Sequence, residues 1–354
     1  MAETAPAAPP AEDEILFEHR GAAGLVTLNR PRALNALTHD MCVRMKAKLE
    51  EWAGDNSVRT IVVQGAGDRA FCAGGDIRTL YESGRAGGSY PREFYRDEYR
   101  LDAAIKHYPK PYVALISGIV MGGGVGVSAH GMFRVADETT TFAMPETGIG
   151  LFPDVGGSYF LPRLPGELGM YLALTGARLR TADVVYAGIA THVVLKDRRD
   201  AIVAGLCDGR SASDVVHAAS AKADPAPLES DQARIDRIFS GETVEDVIAA
   251  LEQDGSPWSA ETLATIRTKS PTSTKLAFRQ LREGRGLSFD ECLRMEFRMV
   301  NRIIAGHDFY EGVRATIIEK DGAPKWQPAR LSEVSDAAIA AYFAPLVEGE
   351  LPLG

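Results

Sequence analysis

The chain has no cysteine pair at a spacing that suits a metal or a short disulfide loop. Its four cysteines, Cys42, Cys72, Cys207 and Cys292, stand far apart with no CxxC. That excludes a disulfide framework and a zinc ribbon, and points to a reducing, cytoplasmic setting. No apolar run reaches the length of a membrane span. An excess of basic residues is missing too. The net charge of −9 argues against a general nucleic-acid or acidic-membrane binder, though a local basic pocket for a phosphorylated small molecule remains compatible with it. There is no internal repeat, no long linker and no low-complexity tract beyond the first dozen residues, MAETAPAAPPAE. These lack the apolar stretch of a secretory signal and the arginines of a transit peptide, and their Ala/Pro/Glu composition reads as a disordered tail over residues 1–12.

What is present is an ordinary globular composition with enough apolar residues for a sizeable core. The chain is organised around residues 112–157. The apolar run Tyr112 to Ile116 suits a strand buried on both faces. It leads through Gly122, Gly123 and Gly124 into a small-residue segment, Val125 to His130, that can be helical. Glycines at a strand-to-helix junction let backbone N–H groups approach a ligand closely. Two acids follow, Glu146 and Asp154, each beside a proline and among glycines. Donors from the glycine turn and these two carboxylates are expected to form one site.

Elsewhere, residues 14–29 read as a hairpin and residues 59–64 as a buried strand. Residues 39–53 read as an amphipathic helix with Met41, Met45, Leu49 and Trp52 on one face. Gly65 to Ala70 loosely matches a dinucleotide fingerprint, but Phe71 to Gly75 breaks the helix that should open there, so a nicotinamide site is not expected. Residues 92–107, 166–176 and 181–187 read as helices, and 190–195 as a short strand. Strand and helix thus alternate over residues 13–200, the pattern of an α/β fold. Residues 201–354 read as a helical region packed on that core, including a helix at 288–305 opened by a Ser288/Glu291 capping box. Ser158 lies in GGSYF, which lacks the closing glycine of a nucleophile elbow, so no serine triad is proposed. His107, His130 and His192 have no metal-ligand spacing and read as packing or surface residues.

The segments LNRPRALNAL (28–37), AFCAGGDI (70–77) and MGGGVG (121–126) resemble the crotonase (enoyl-CoA hydratase/isomerase) superfamily. MPETGIGLFPDVGGSYFLPRL (144–164), LTGARL (174–179), AGIATH (187–192), KSPTS (269–273), GHDFYEGVRA and KDGAPKW are similar to its thioester-hydrolysing branch. The resemblance spans about residues 13–345 and implies a crotonase-like spiral of ββα repeats with a helical C-terminal region completing the pocket. It implies hydrolysis of a short β-hydroxyacyl-CoA, foremost 3-hydroxyisobutyryl-CoA, in valine breakdown. CoA would be part of the substrate, with no separate cofactor or metal. Relatives of this fold often form trimers or pairs of trimers, so a homo-oligomer is among the expectations.

By the same resemblance, Gly75 and Gly123 would supply backbone donors for the thioester oxygen, and Glu146 with Asp154 the carboxyl pair. Preorganised donors stabilise the charge that such an oxygen gains in the transition state. Glu98 matches a substrate-contacting acid, although a helix so rich in charge usually offers a solvated face. Arg32 would lie near the CoA phosphates, and the backbone at Ala33, Leu34 and Ala73 would cup the adenine. One departure is informative. Enoyl-CoA hydratases place a catalytic Glu shortly after the glycine turn, where this chain has Gly126. That disfavours the alternative of an enoyl-CoA hydratase or isomerase. A non-catalytic acyl-CoA-binding protein would have no need of the paired acids. Glu146, following the strand-like run TTTFAMP, is expected to be held rigidly against the carbonyl carbon, and Asp154 to sit in a looser turn that handles water and protons.

Overall fold

A computed structural model of the chain describes residues 13–347 and 349–353, so the tail expected over residues 1–12 lies outside the described residues. The hairpin forms as expected. β1 (Ile15–Arg20) and β2 (Ala23–Leu28) pair antiparallel across a turn at Gly21. β3 (Thr60–Gly65), β4 (Ala70–Cys72), β5 (Tyr112–Ile116), β6 (Ile119–Met121), β7 (Phe133–Ala136), β8 (Thr141–Ala143), β9 (Leu179–Arg180) and β10 (His192–Val193) follow.

These strands make two sheets. One runs β1-β2-β3-β5-β7-β10, and the other β4-β6-β8-β9. Successive strands alternate between them, β3 to the first, β4 to the second, and so on through β8. Each repeat therefore gives one strand to each sheet and then crosses back, which is the expected spiral. The pairings β2–β3, β3–β5, β5–β7 and β7–β10 are parallel, as are β4–β6 and β6–β8. All five residues of β5 are buried. Parallel strands covered on both faces carry continuous apolar runs, and Tyr112 to Ile116 is one.

The crossovers are α1 (His39–Gly54), α2 (Ile77–Arg85), α3 (Tyr90–Lys106) and α4 (Gly123–Ala129). α1 is capped by the Thr38 hydroxyl, which accepts from Met41 N–H at 3.3 Å, and it buries Cys42 beside the expected Met41, Met45, Leu49 and Trp52. α2 was not expected; it packs Leu80, Ile77 and Tyr81 on the core. The motif at Gly65 to Ala70 is a turn leading into β4 rather than into a helix.

α5 (Gly157–Phe160), α6 (Leu168–Thr175) and α7 (Thr181–Tyr186) complete the first half. The second half is α8 (Arg199–Cys207), α9 (Ala212–Ala219), α10 (Gln232–Phe239), α11 (Val244–Asp254), α12 (Pro257–Arg267), α13 (Pro271–Gly284), α14 (Phe289–Ile303), α15 (Asp308–Val313) and α16 (Asp336–Phe343). Pro257 and Pro271 open their helices at the first position, where the missing N–H costs nothing. The Ser288/Glu291 capping box forms on α14. Among the described residues no helix is long and apolar enough to cross a membrane.

One apolar core joins the hairpin, α1, α3 and the central strands to α10 through α16. A ring contact between Tyr99 of α3 and Phe297 of α14, 6.5 Å between centroids, lies on that seam. The consequence for function is a single juxtaposition. The carboxyl ends of β4, β6 and β8 lie side by side, and ligands of open α/β folds bind at such ends.

Candidate active site

Three loops leave those strand ends: Ala73–Gly75 after β4, Gly122–Gly124 after β6, and Pro145–Glu146 after β8. Gly74 at φ 122° and Gly122 at φ 48° hold conformations that side chains disfavour. A Cβ on Gly122 would sit 3.2 Å from Gly74 Cα, so glycine lets the first two loops touch. Leu37 bonds both neighbours of Gly75. Its N–H donates to Gly74 O, and its carbonyl accepts from Asp76 N–H, each at 2.8 Å. The N–H of Gly75 itself therefore faces away from Leu37. Gly123 is the first residue of α4, and its N–H has no acceptor within the helix. Both glycines line one cavity of about 440 Å³.

Three acids share that cavity: Glu98, Glu146 and Asp154. Glu146 is 4% exposed, and its Oε2 has no hydrogen-bond partner among the described residues. Its Oε1 lies 3.6 Å from where a Cβ on Gly122 would stand. β8 and a short helical turn over Glu146–Ile149 hold it, as its sequence context implied. Glu98, singled out as a substrate-contacting acid, does not lie on a solvated face. It is 2% exposed, with Oε1 unpartnered among the described residues. α3 turns Tyr95, Glu98, Tyr99 and Asp102 inward at helical spacing, so its surface charge lies on the other side.

Asp154 corrects the expectation of a loose turn. It is buried, and the Tyr99 hydroxyl donates to its Oδ2 at 2.9 Å. The next two residues, Val155 and Gly156, both have positive φ, 51° and 82°. His130 Nε2 lies 2.7 Å from the Val155 carbonyl, which can only accept, so that nitrogen carries the proton. Burial pushes the His130 pKa down to about 3, so the ring is neutral. Gly156 N–H and Ser158 N–H donate to the carboxyl oxygens of Glu296 at 2.8 and 3.0 Å.

Burial shifts all three acids the same way. Burial raises the Asp154 pKa to about 7, while the hydrogen bond from Tyr99 holds it down. Glu146 and Glu98 are likewise pushed well above the usual carboxylate range, first by burial and then by the charge on Asp154. Burial thus disfavours the charged form of all three acids, and a charge on Asp154 further disfavours one on either glutamate. Asp102 joins this set without having been singled out in the sequence. It is fully buried, and neither carboxyl oxygen has a partner among the described residues. Its Oδ1 lies 2.6 Å from where a Cβ on Gly126 would be. The acid missing at position 126 thus leaves room that Asp102 occupies from α3.

The remaining expected residues lie at the rim. Ala73 lines the cavity, whereas Arg32, Ala33 and Leu34 do not. Pro31–Ala33 is a 3₁₀ turn with Arg32 exposed. Leu34 O accepts from Ala73 N–H at 3.0 Å, which joins that turn to the cavity wall. Asn35 pins it, with Nδ2 donating to Ala66 O at 2.9 Å and Ala70 O at 2.8 Å. Lys269 of KSPTS and Arg178 of LTGARL, given no role by the sequence, also line the cavity. His107 is exposed and paired with Asp290, and His192 lies on the edge strand β10.

A profile of the Enoyl-CoA hydratase/isomerase family matches residues 23–343. The chain is 48% identical over 353 residues to "3-hydroxyisobutyryl-CoA hydrolase, mitochondrial" of Danio rerio, covering 97% of this chain and 92% of that protein. It is 47% identical over 352 residues to the protein of the same name from Homo sapiens, covering 96% and 91%. Among solved structures it resembles a carnitinyl-CoA dehydratase from Mycobacterium thermoresistibile, with TM-score 0.92, 43% identity and coverage of 96% and 99%. It also resembles an enoyl-CoA hydratase from Rhodobacter sphaeroides 2.4.1, with TM-score 0.91, 38% identity and coverage of 96% and 100%. The mitochondrial relatives overturn the cytoplasmic expectation. Free cysteines record only a reducing compartment, and a mitochondrial matrix is one as much as the cytosol is.

Proposed function

The chain belongs to the enoyl-CoA hydratase/isomerase family, and from that premise we propose that it hydrolyses 3-hydroxyisobutyryl-CoA to 3-hydroxyisobutyrate and CoA, a step of valine breakdown. One observation carries the proposal. Two uncommitted glycine amides and the Glu146/Asp154 pair open on the same cavity, while position 126 offers no acid.

The thioester oxygen would lie between the N–H groups of Gly75 and Gly123, which stabilise the charge it gains. The carbonyl carbon would then face Glu146. Burial favours a proton on Glu146, and Asp154, beside the Tyr99 hydroxyl, is the group that can accept it. Passing that proton to Asp154 frees the Glu146 carboxylate either to activate water or to attack the carbon and form an anhydride that a water then opens to the free acid. Asp154 then holds the proton that the departing CoA thiolate needs, and its pKa of about 7 lets it both take and give a proton near neutrality. Protonated Glu98 can donate to the β-hydroxyl of the acyl group. Along the rim, Arg32 would meet the CoA phosphates, and the backbone of Ala33, Leu34 and Ala73 the adenine.

A second reading, hydration of an enoyl double bond, is favoured by the names of the structural relatives. Gly126 disfavours it, because the second carboxylate of that chemistry has nowhere to come from on α4. An acyl-CoA panel decides between them by following free thiol and enoyl absorbance together. The expected result is thiol release from 3-hydroxyisobutyryl-CoA with crotonyl-CoA left unhydrated. Hydration of crotonyl-CoA at a comparable rate would overturn the proposal.

A further inference from the structure

We propose that Glu296, carried on α14 in the helical second half, is a positioning residue that fixes Asp154 at the cavity wall. The inference rests on the function proposed above and concerns how its carboxyl pair is held.

Glu296 is fully buried and does not line the cavity. Its Oε2 accepts from Gly156 N–H at 2.8 Å. Its Oε1 accepts from Ser158 N–H at 3.0 Å and from the Ser158 hydroxyl. One side chain thus binds three donors of a single turn. That turn is strained: Val155 is β-branched and sits at φ 51°, a conformation that costs free energy for any residue with a side chain. Such a backbone persists only where its surroundings over-determine it. α14 holds it at a second point as well, since a Cβ on Gly156 would lie 2.6 Å from Phe289 Cε2. A buried carboxyl group, whose pKa burial raises to about 8 against the pull of its three donors, is a costly way merely to close a turn, because apolar packing of the same volume serves stability as well or better. What this one adds is direction: with the turn fixed, Asp154 Oδ2 meets the Tyr99 hydroxyl at 2.9 Å. Catalytic groups displaced by a fraction of their reach lose rate steeply.

The test is a mutant cycle. Glu296→Gln keeps the volume but turns an amide NH₂ toward one of the three donors. We expect a kcat for 3-hydroxyisobutyryl-CoA lowered ~10- to 100-fold, with KM within about threefold of the parent, since no substrate contact is lost. In an Asp154→Asn background, followed by single turnovers, the same change should cost less than about threefold, because no carboxylate remains to be aimed. A folded Glu296→Gln with the parent's kcat, or an equal loss in both backgrounds, overturns the inference. Should Glu296→Gln fail to fold, Ser158→Ala removes only the hydroxyl donor. A lowered kcat at unchanged KM then supports the inference, and parental kinetics overturn it. The two failures are separable. A parent that releases no thiol from 3-hydroxyisobutyryl-CoA ends the proposed function, whereas an active parent matched by Glu296→Gln ends only this inference.

Discussion

Gly123→Pro releases thiol at least ~100-fold more slowly than Gly123→Ala, the scale expected when one oxyanion donor is lost. Comparing these two variants isolates the N–H. Both add a Cβ, which would lie 2.5 Å from Glu98 Oε1 and 3.0 Å from Leu37 Cδ1. Both therefore disturb Glu98, and Gly123→Ala is itself slower than the parent. Only proline removes the donor. Gly123 is the first residue of α4, a position that accepts proline without breaking a helix. Stopped-flow thiol detection on the two folded proteins reads the difference. Equal rates would remove the Gly123 amide from the site.

Glu146→Gln and Asp154→Asn each lose at least ~100-fold in rate, the usual scale for an acid–base group. If the pair moves one proton between its members, the double variant is little worse than the poorer single one. Near-parental hydrolysis by Glu146→Gln would move the chemistry to Asp154 and Glu98. Asp154 also carries a stability prediction. Its folded pKa of about 7 lies above the ordinary Asp value, so folding favours the protonated form. The stability it contributes is complete below about pH 4 and is lost as pH rises toward 7. At pH 8 Asp154→Asn removes a buried charge, and its Tm should exceed the parent's. A lower Tm at that pH would contradict the electrostatic assignment.

The alternation of strand and helix is legible in the sequence because β2, β3 and β5 are long apolar runs and α1 and α14 keep a clear helical period. The second sheet is legible only at β8, inside the strand-like run TTTFAMP. Its other strands β4, β6 and β9 have two or three residues each, too few for a pattern, and pairing alone defines them. α2 escapes although Ile77, Leu80 and Tyr81 recur at helical spacing; it is short and follows directly on the Gly74–Gly75 turn.

The site divides in the same way. Gly75, Gly123, Glu146 and Asp154 stand in distinctive local strings, so they can be found without a structure. Tyr99, Asp102 and Glu296 cannot be ranked that way, since their meaning depends on which helix face turns inward. For α3 the signal exists: Tyr95, Glu98, Tyr99 and Asp102 fall on one stripe of the helical wheel, beside apolar Phe94 and Ile105. A polar stripe where the core should be marks a buried site. Glu296 leaves no comparable trace, because its partners Gly156 and Ser158 lie 140 and 138 residues away in the chain. Arg32 shows the opposite limit: a motif can place a residue near a ligand's path, but its exposure follows from the turn at Pro31–Ala33.

The central claim is that the thioester is held between two glycine amides with its carbon facing Glu146. A crystal structure of Glu146→Gln with 3-hydroxyisobutyryl-CoA bound tests it most directly. The account predicts the thioester oxygen about 2.7–3.1 Å from both Gly75 N and Gly123 N, with the carbonyl carbon toward residue 146 and the β-hydroxyl toward Glu98. A thioester oxygen turned away from those amides, or an acyl group bound outside the cavity, would contradict it.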